Sequence, residues 1–198
     1  MAVTDITEQK NTKDRFSVSV DGEYAFSISA DDLLESKLRV GDELSESEIE
    51  LYKQKSADSL LLARTYDKCL RRPHSEREIR DYLRTKRAGE ETTEFIIAKC
   101  YKLKLLDDEV FAQKWVDHRR RQAKSNRYIR SELFKKGIAG AIINEVLAED
   151  DSDQLARLVE KKAGKYEDDA KLIAYLQRQG FGYSDVKAAV DVFKNPED

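Results

Sequence analysis

The side chains best suited to binding chemistry are arginines and lysines gathered in one stretch of the chain. Residues 113–136 contain nine basic and two acidic side chains. A guanidinium is planar and donates hydrogen bonds in a fork that fits phosphate or carboxylate. The stretch also crosses the junction of two predicted helices, where the backbone amides that follow Ser125 would add affinity for anions. Most charge runs are solvated helix faces, and that interpretation is the alternative here.

We therefore predict that this stretch binds a partner or DNA through Arg119, Arg120, Arg121, Lys124, Arg127, Arg130, Lys135 and Lys136. A second basic set occupies residues 71–87, but acidic residues at 76, 78 and 81 are interleaved with it. A solvated face is the better interpretation for that set as a whole. Only Arg71 and Arg72, at its start, are retained as further candidate contacts.

No arrangement of residues predicts catalysis, a metal or a cofactor. The acidic cluster Asp107-Asp108-Glu109 stands at a predicted helix start, where helix capping explains it better than metal binding. His74 and His118 are the only histidines, and neither has partners at metal-ligand spacing. Cys69 and Cys100 lie in apolar helical patterns, which indicates reduced core residues. We expect a protein that is not an enzyme.

The first elements to place are the strands near the amino terminus. Residues 15–28 alternate between apolar and polar types around Asp21-Gly22, which predicts a β-hairpin. A two-residue turn would place Val20 opposite Glu23 and put the two apolar triplets on opposite faces. A three-residue loop would place Val20 opposite Tyr24 and put all six apolar residues on one face, so we favour the longer loop.

Beyond residue 56 the sequence predicts only helices, arranged as a repeat. Three similar segments contain Leu83, Leu133 and Leu176, which lie 50 and 43 residues apart. That period is typical of helical arrays. Apolar residues precede each leucine by four positions, and Gly137 and Gly180 stand where a left-handed residue ends a helix. Each unit is predicted to be a helix, a short middle helix, a turn and a third helix.

Composition and charge suit such an array. The chain has 198 residues, of which 40% are hydrophobic and 38% charged, so one large core is excluded. Residues 61–136 carry 21 basic and 12 acidic side chains between two acidic blocks, which points to a polyanion or an acidic protein surface as partner. No apolar run approaches the roughly 20 residues that a membrane helix needs.

The predicted fold class is mainly α, an elongated array of three tandem three-helix repeats with a short N-terminal β-hairpin extension. The predicted divisions are a disordered tail over 1–14, the hairpin and helical extension over 15–55, and repeats over 56–105, 106–149 and 150–198.

The central motif resembles the RecX family of recombinase regulators. It runs from Leu106 to Val116 (LDDEVFAQKWV), continues with Arg119, and ends in the turn Lys136-Gly137-Ile138. Segments beginning at Arg71 and Tyr175 fit the motifs that flank it, and the resemblance covers roughly residues 15–195. Two turns depart from the family pattern, because Arg87 stands where a glycine is usual and no glycine occurs around Ala123.

The resemblance implies a bacterial cytoplasmic protein that binds RecA, the strand-exchange recombinase. Family members lie in the groove of the RecA–single-stranded DNA filament and restrain its growth, strand exchange and co-protease activity. We accordingly expect a RecA regulator, acting as a monomer near single-stranded DNA and away from membranes. The alternative is a helical module that binds DNA directly and acts without RecA.

Overall fold

The computed structural model describes residues 1–10, 12, 14–166 and 168–195. Its elements are β1 (Val3–Glu8), β2 (Arg15–Val20), β3 (Glu23–Ser29), α1 (Ala30–Ser36), α2 (Glu46–Arg71), α3 (Glu76–Thr85), α4 (Glu90–Lys102), α5 (Asp108–Arg121), α6 (Asn126–Lys135), α7 (Gly140–Val146), α8 (Ser152–Ala163), α9 (Asp169–Arg178) and α10 (Tyr183–Lys194). This confirms the mainly α class, with the helices α2–α4, α5–α7 and α8–α10 following one another as three sets of three.

The chain divides into two compact units. The first consists of Met1–Arg71 with Arg87–Ile96, and the second of Arg72–Lys86 with the chain from Ile97 onward. In the first unit, β1, β2 and β3 form an antiparallel sheet in that order, and α2 packs against β3. Phe26 stacks on Tyr52 at 4.9 Å between ring centres, which joins the sheet to the helix.

The prediction of a disordered tail over residues 1–14 is wrong, because β1 lies within it. Val3 is buried and its amide donates to the carbonyl of Asp42 at 2.9 Å. The register of β1 against β2 shifts between Val3 and Asp5, so a bulge interrupts the pairing. A bulge breaks the two-residue alternation by which a strand is recognised in a sequence. The expected hairpin is therefore a three-stranded sheet.

The register of the hairpin formed by β2 and β3 differs from the predicted one. Val20 pairs with Glu23 across a two-residue turn, in which Asp21 and Gly22 have φ of 52° and 87°. The register then shifts beside Ser19, so that Val18 still faces Phe26. Most of the apolar residues thus share the buried face through a bulge in β3 rather than through a longer loop, and only Tyr24 is left on the outer face.

Helix α2 begins directly after Ser45, whose amide donates to the Glu48 carboxylate at 2.8 Å. It then continues through residue 71, so the division predicted between residues 55 and 56 falls inside a continuous helix. A buried side chain also ties it to the sheet. Arg15 is only 6% exposed and donates to the hydroxyl groups of Ser27, Ser56 and Ser59 at 2.8–2.9 Å.

The second unit contains two complete three-helix cores. One is built from α5–α7 around Phe111, Val116, Ile129, Leu133 and Ile143. The other is built from α8–α10 around Leu158, Val159, Leu172, Leu176, Phe181 and Val186. The three repeat leucines, Leu83, Leu133 and Leu176, all have no exposed surface, which confirms the alignment that predicted them.

Candidate functional site

The basic junction, residues 118–136, is the end of α5, a tight turn and the whole of α6. Helix α5 ends at Arg121, and Ala123 then takes a left-handed conformation with φ of 60°. Ser125 caps α6 by accepting a hydrogen bond from the Tyr128 amide at 3.2 Å, as predicted. The turn is therefore tight although no glycine occupies it.

Arg119 holds the two helices of the junction together. Its Nε and Nη2 donate to the two carboxylate oxygens of Glu132 at 2.7 and 2.8 Å. The Trp115 indole donates to the same carboxylate at 3.0 Å, and the guanidinium carbon lies 4.6 Å from the Trp115 ring centre. Paired on both sides and half-buried, Arg119 supports the fold and is not free for a partner.

Lys136 is also held inside the protein. Its Nζ donates to Glu78 at 2.5 Å and lies 4.1 Å from the centre of the Trp115 ring, and the side chains of Lys136 and Glu78 are each 20% exposed. Arg72 donates to the other Glu78 oxygen at 2.9 Å. Burial alone would raise the pKa of Glu78, but the hydrogen bonds and positive charges of Lys136 and Arg72 outweigh it and hold that pKa below 4.5.

The remaining predicted residues differ in whether their side chains contact other side chains of the protein. Arg120 reaches Glu149 at 3.4 Å, Arg130 donates to Asn144 at 2.6 Å, and Lys124 lies 4.4 Å from the centre of the Tyr128 ring. Among these predicted residues, Arg121, Arg127, Lys135 and, in the first unit, Arg71 are exposed and form no ion pair with the described residues. The freely available charge of the junction is thus concentrated on α6 and the last residue of α5.

The amides at the start of α6 do not form the open anion site that the sequence suggested. The Asn126 amide donates to the Asp151 carboxylate at 2.5 Å, and the Asn126 side chain donates to the Glu149 carbonyl at 2.7 Å. The Asp151 carboxylate therefore accepts a hydrogen bond from the first turn of α6 and does not cap its own helix, α8. The acidic segment near residue 150 thus forms a joint to the preceding repeat.

The same joint occurs one repeat earlier. The Glu76 amide at the start of α3 donates to Asp108 at 3.0 Å. The Ser75 hydroxyl donates to the Lys136 carbonyl at 2.8 Å, just before Gly137. In the later copy, the Ser125 amide donates to the Gln179 carbonyl at 3.0 Å, just before Gly180. The middle helices of the first two repeats, α3 and α6, thus rest on the glycine turn of the next repeat.

Two grooves lie beside these joints. The first groove, of about 420 Å³, is lined by Glu76, Arg77, Arg80, Asp81, Arg84, Asp108 and Gly137. The second groove, of about 500 Å³, is lined by Arg127, Tyr128, Ser131, Gln177, Gly180, Phe181, Gly182 and Tyr183. Arg77 and Arg127 are equivalent residues of α3 and α6, because each stands two positions after its capping serine.

Neither a metal-binding cluster nor a membrane-spanning helix occurs among the described residues. No group of three or more His, Cys, Asp or Glu side chains there could hold a metal ion. None of the helices in that part of the chain is long and apolar enough to cross a membrane. Both cysteines are buried, and neither forms a disulfide.

Sequence reasoning missed the residues that neutralise or complete the basic junction. Glu132, Glu78 and Asp151 act across helices, at separations that helical periodicity does not reveal. Tyr128 and Tyr183 line the same groove only because one repeat rests on the next. The repeat alignment is the signal that could have found the second groove, since it pairs the start of each middle helix with the following glycine turn.

Known proteins similar to this chain share one description. Residues 1–45 match the family described as Regulatory protein RecX N-terminal domain, and residues 107–147 match RecX, second three-helix domain. Proteins named Regulatory protein RecX from Bacillus velezensis and Bacillus subtilis are each 30% identical, over 96% and 99% of this chain and 76% and 79% of their own lengths. One from Lactobacillus johnsonii is 35% identical over 77% of this chain, which spans 56% of that protein.

Solved structures agree with the sequence relatives. The crystal structure of a regulatory protein RecX, 25% identical, superposes with a TM-score of 0.74 over 96% of this chain and 98% of its own. The structure of RecX from Lactobacillus salivarius, at 24% identity and a TM-score of 0.55, shares the fold over 67% of this chain.

Proposed function

The chain belongs to the RecX family of regulatory proteins, and from this premise we propose that it binds the RecA–single-stranded DNA filament and restrains its activity. Similarity to proteins named Regulatory protein RecX along nearly the whole chain is the observation that carries the proposal. In this proposal the protein acts in the cytoplasm as a monomer, by binding and without catalysis. Its targets are the recombinase, ATPase and co-protease activities of RecA.

The geometry of the basic junction supports different roles for its residues in this function. Arg121, Arg127 and Lys135 are exposed and pair with no carboxylate among the described residues, so their charge is available to RecA carboxylates or DNA phosphates. Arg120, Lys124 and Arg130 contribute from partly buried positions. Arg119 and Lys136 hold the junction in shape, and Arg71 and Arg72 remain secondary candidates.

The decisive experiment measures binding to RecA–ssDNA filaments and to naked ssDNA at the same salt concentration, together with RecA ATPase. The test variant changes Arg121, Arg127 and Lys135 to glutamate. We expect filament affinity to fall by tenfold or more, since each charged hydrogen bond contributes about 1.5–3 kcal/mol and tenfold is about 1.4 kcal/mol. The ATPase of RecA should then recover.

A matched control changes Lys161, Lys171 and Lys187, which are exposed residues of the third repeat, to glutamate. It alters the net charge equally and should retain filament binding. Circular dichroism confirms that both variants fold. A parent protein with no effect on RecA at saturation would contradict the proposal. Tight binding to naked DNA combined with indifference to RecA would favour the direct DNA-binding alternative.

A further inference from the structure

We propose that the second groove, between α6 and the start of α10, is a nucleotide pocket that takes one base of a single-stranded nucleic acid. Its volume of about 500 Å³ is within the range of small-ligand sites. This inference rests on the proposed function in one respect, namely that the protein works beside single-stranded DNA. It adds the ligand class and the residues that would hold it.

Two tyrosines supply stacking surfaces at the groove. Tyr183 is 57% exposed and Tyr128 is 36% exposed, so both present ring area to solvent that a base could cover. Lys124 lies 4.4 Å from the centre of the Tyr128 ring, which adds positive charge at that ring. Stacking of bases on aromatic side chains, combined with nearby cations, is the general means by which single strands are bound without sequence preference.

The charges around the groove orient the ligand. Arg127 lies on its rim and has no ion pair within the described residues, so it is placed to meet a phosphate. The Asp185 carboxylate does not line the groove but lies close to Gly182, which does, so it would repel a phosphate from the first turn of α10. The backbone phosphate therefore belongs beside Arg127, and the neutral base beside Tyr183. Ser131 and Gln177 offer hydrogen bonds to the base edge.

The first groove occupies the equivalent position one repeat earlier, and its lining residues differ from those of the second groove. In the alignment of the two repeats, Glu78 replaces Tyr128 and Gly140 replaces Tyr183, so neither stacking ring is present. Two of its arginines are paired locally, Arg80 with Glu76 at 2.6 Å and Arg84 with Asp81 at 2.7 Å. No carboxylate lines the second groove among the described residues. The contrast assigns nucleic-acid binding to one groove and not to the other.

The test compares binding of the full chain to a short oligothymidylate and to an abasic strand of equal length, measured by fluorescence anisotropy without RecA. Replacing Tyr183 with alanine should weaken oligothymidylate binding by about five- to tenfold and leave abasic-strand binding unchanged. Tyr183→Phe should retain the parental affinity. Arg127→Ala should weaken both and lower the log–log salt slope by about 0.7, whereas the matched Arg77→Ala should change neither.

The proposal of a nucleotide pocket would be overturned if the parent bound the two strands with equal affinity. It would also be overturned if Tyr183→Ala bound oligothymidylate as the parent does. If Tyr183→Ala lost filament binding but kept oligothymidylate binding, the groove would hold a protein segment and the inference would again fail. Failure of the pocket remains distinguishable from failure of the proposed function. The function is tested by RecA ATPase, which does not enter the oligonucleotide measurement.

Discussion

Arg119 and Arg121 lie two residues apart on α5 and have different environments. Arg119 is held between Glu132 and the Trp115 ring, whereas Arg121 is exposed with no ion pair in the described part of the chain. The density of charge along the sequence does not distinguish the two arginines, because Glu132, which pairs with Arg119, lies on another helix. The difference between a structural and an available arginine therefore comes from tertiary packing.

The structural role of Arg119 predicts that lysine cannot replace it. A lysine has one charged nitrogen, so Arg119→Lys loses the two-point contact with Glu132 and the flat stacking on Trp115. We expect a loss of about 1–2 kcal/mol in the free energy of unfolding, measured by urea denaturation. The neighbouring Arg121→Lys should leave stability within about 0.5 kcal/mol of the parent. Equal stability of the two variants would contradict this assignment.

Glu78 predicts a specific dependence of stability on acid. Its pKa is depressed in the folded protein by Lys136 and Arg72, so its stabilisation is present above its ordinary pKa of 4.5 and is lost as pH falls through the lower folded value. Glu78→Gln should cost about 1–3 kcal/mol near neutral pH, because Lys136 keeps its burial and loses its carboxylate.

The measurement for Glu78 is the free energy of unfolding as a function of pH. Below pH 4.5 the curve of Glu78→Gln should approach that of the parent. Glu145→Gln, on an exposed side chain of α7, is the control and should follow the parent throughout. A constant gap between Glu78→Gln and the parent at all pH values would show that the ion pair is not responsible.

At the scale of elements, helices and caps were predictable because their signals are local. Asp107 and Ser125 each cap the helix whose start the sequence indicated. Ser75 caps α3, and the Glu78 carboxylate three residues later is bound by Lys136 and Arg72. The sheet was less predictable, since bulges in β1 and β3 break the alternation from which register is inferred.

The turns that lack a usual glycine give a prediction about backbone strain. Arg87 has φ of 59°, where a side chain is disfavoured and glycine is not. Since Arg87 is exposed, Arg87→Gly should raise the free energy of unfolding by about 0.5–1 kcal/mol. Ala123 has the same conformation, but its methyl group packs against the core of α8–α10, so Ala123→Gly should give no gain.

Thermal denaturation of both variants checks this contrast. Gly180→Ala serves as the opposite case, because a methyl group there would lie 2.6 Å from the Tyr128 Cβ in a left-handed backbone, and it should destabilise the protein. Gly89→Ala meets no neighbour within 4 Å and should change little. Stabilisation by Ala123→Gly equal to that of Arg87→Gly would mean that the methyl contact contributes nothing.

For the whole molecule, the repeat was visible in the sequence but the means of joining repeats was not. The buried leucines recur because each core needs one at the same place, which periodicity records. The joints use an acidic residue at the start of one repeat and a backbone amide of the previous one, as in Asp108 with Glu76 and Asp151 with Asn126. Backbone partners leave no trace in residue types, so the acidic cluster at residues 107–109 indicated only helix capping.

The joint between the second and third repeats provides the last prediction. Asp151 accepts from the Asn126 amide, and the adjoining Ser125 amide is bonded to the third repeat at Gln179. Asp151→Ala leaves the Asn126 amide without its partner, which should cost about 1–3 kcal/mol. In native-state hydrogen exchange, the Asn126 amide should lose protection. The third repeat should unfold at lower denaturant than the second, because nearest-neighbour contacts determine cooperativity in repeat proteins. Asp153→Ala, two residues away on an exposed side chain, is the matched control and should exchange and unfold like the parent. If Asp151→Ala kept both the protection of Asn126 and a single unfolding transition at the parental midpoint, this joint would not couple the repeats.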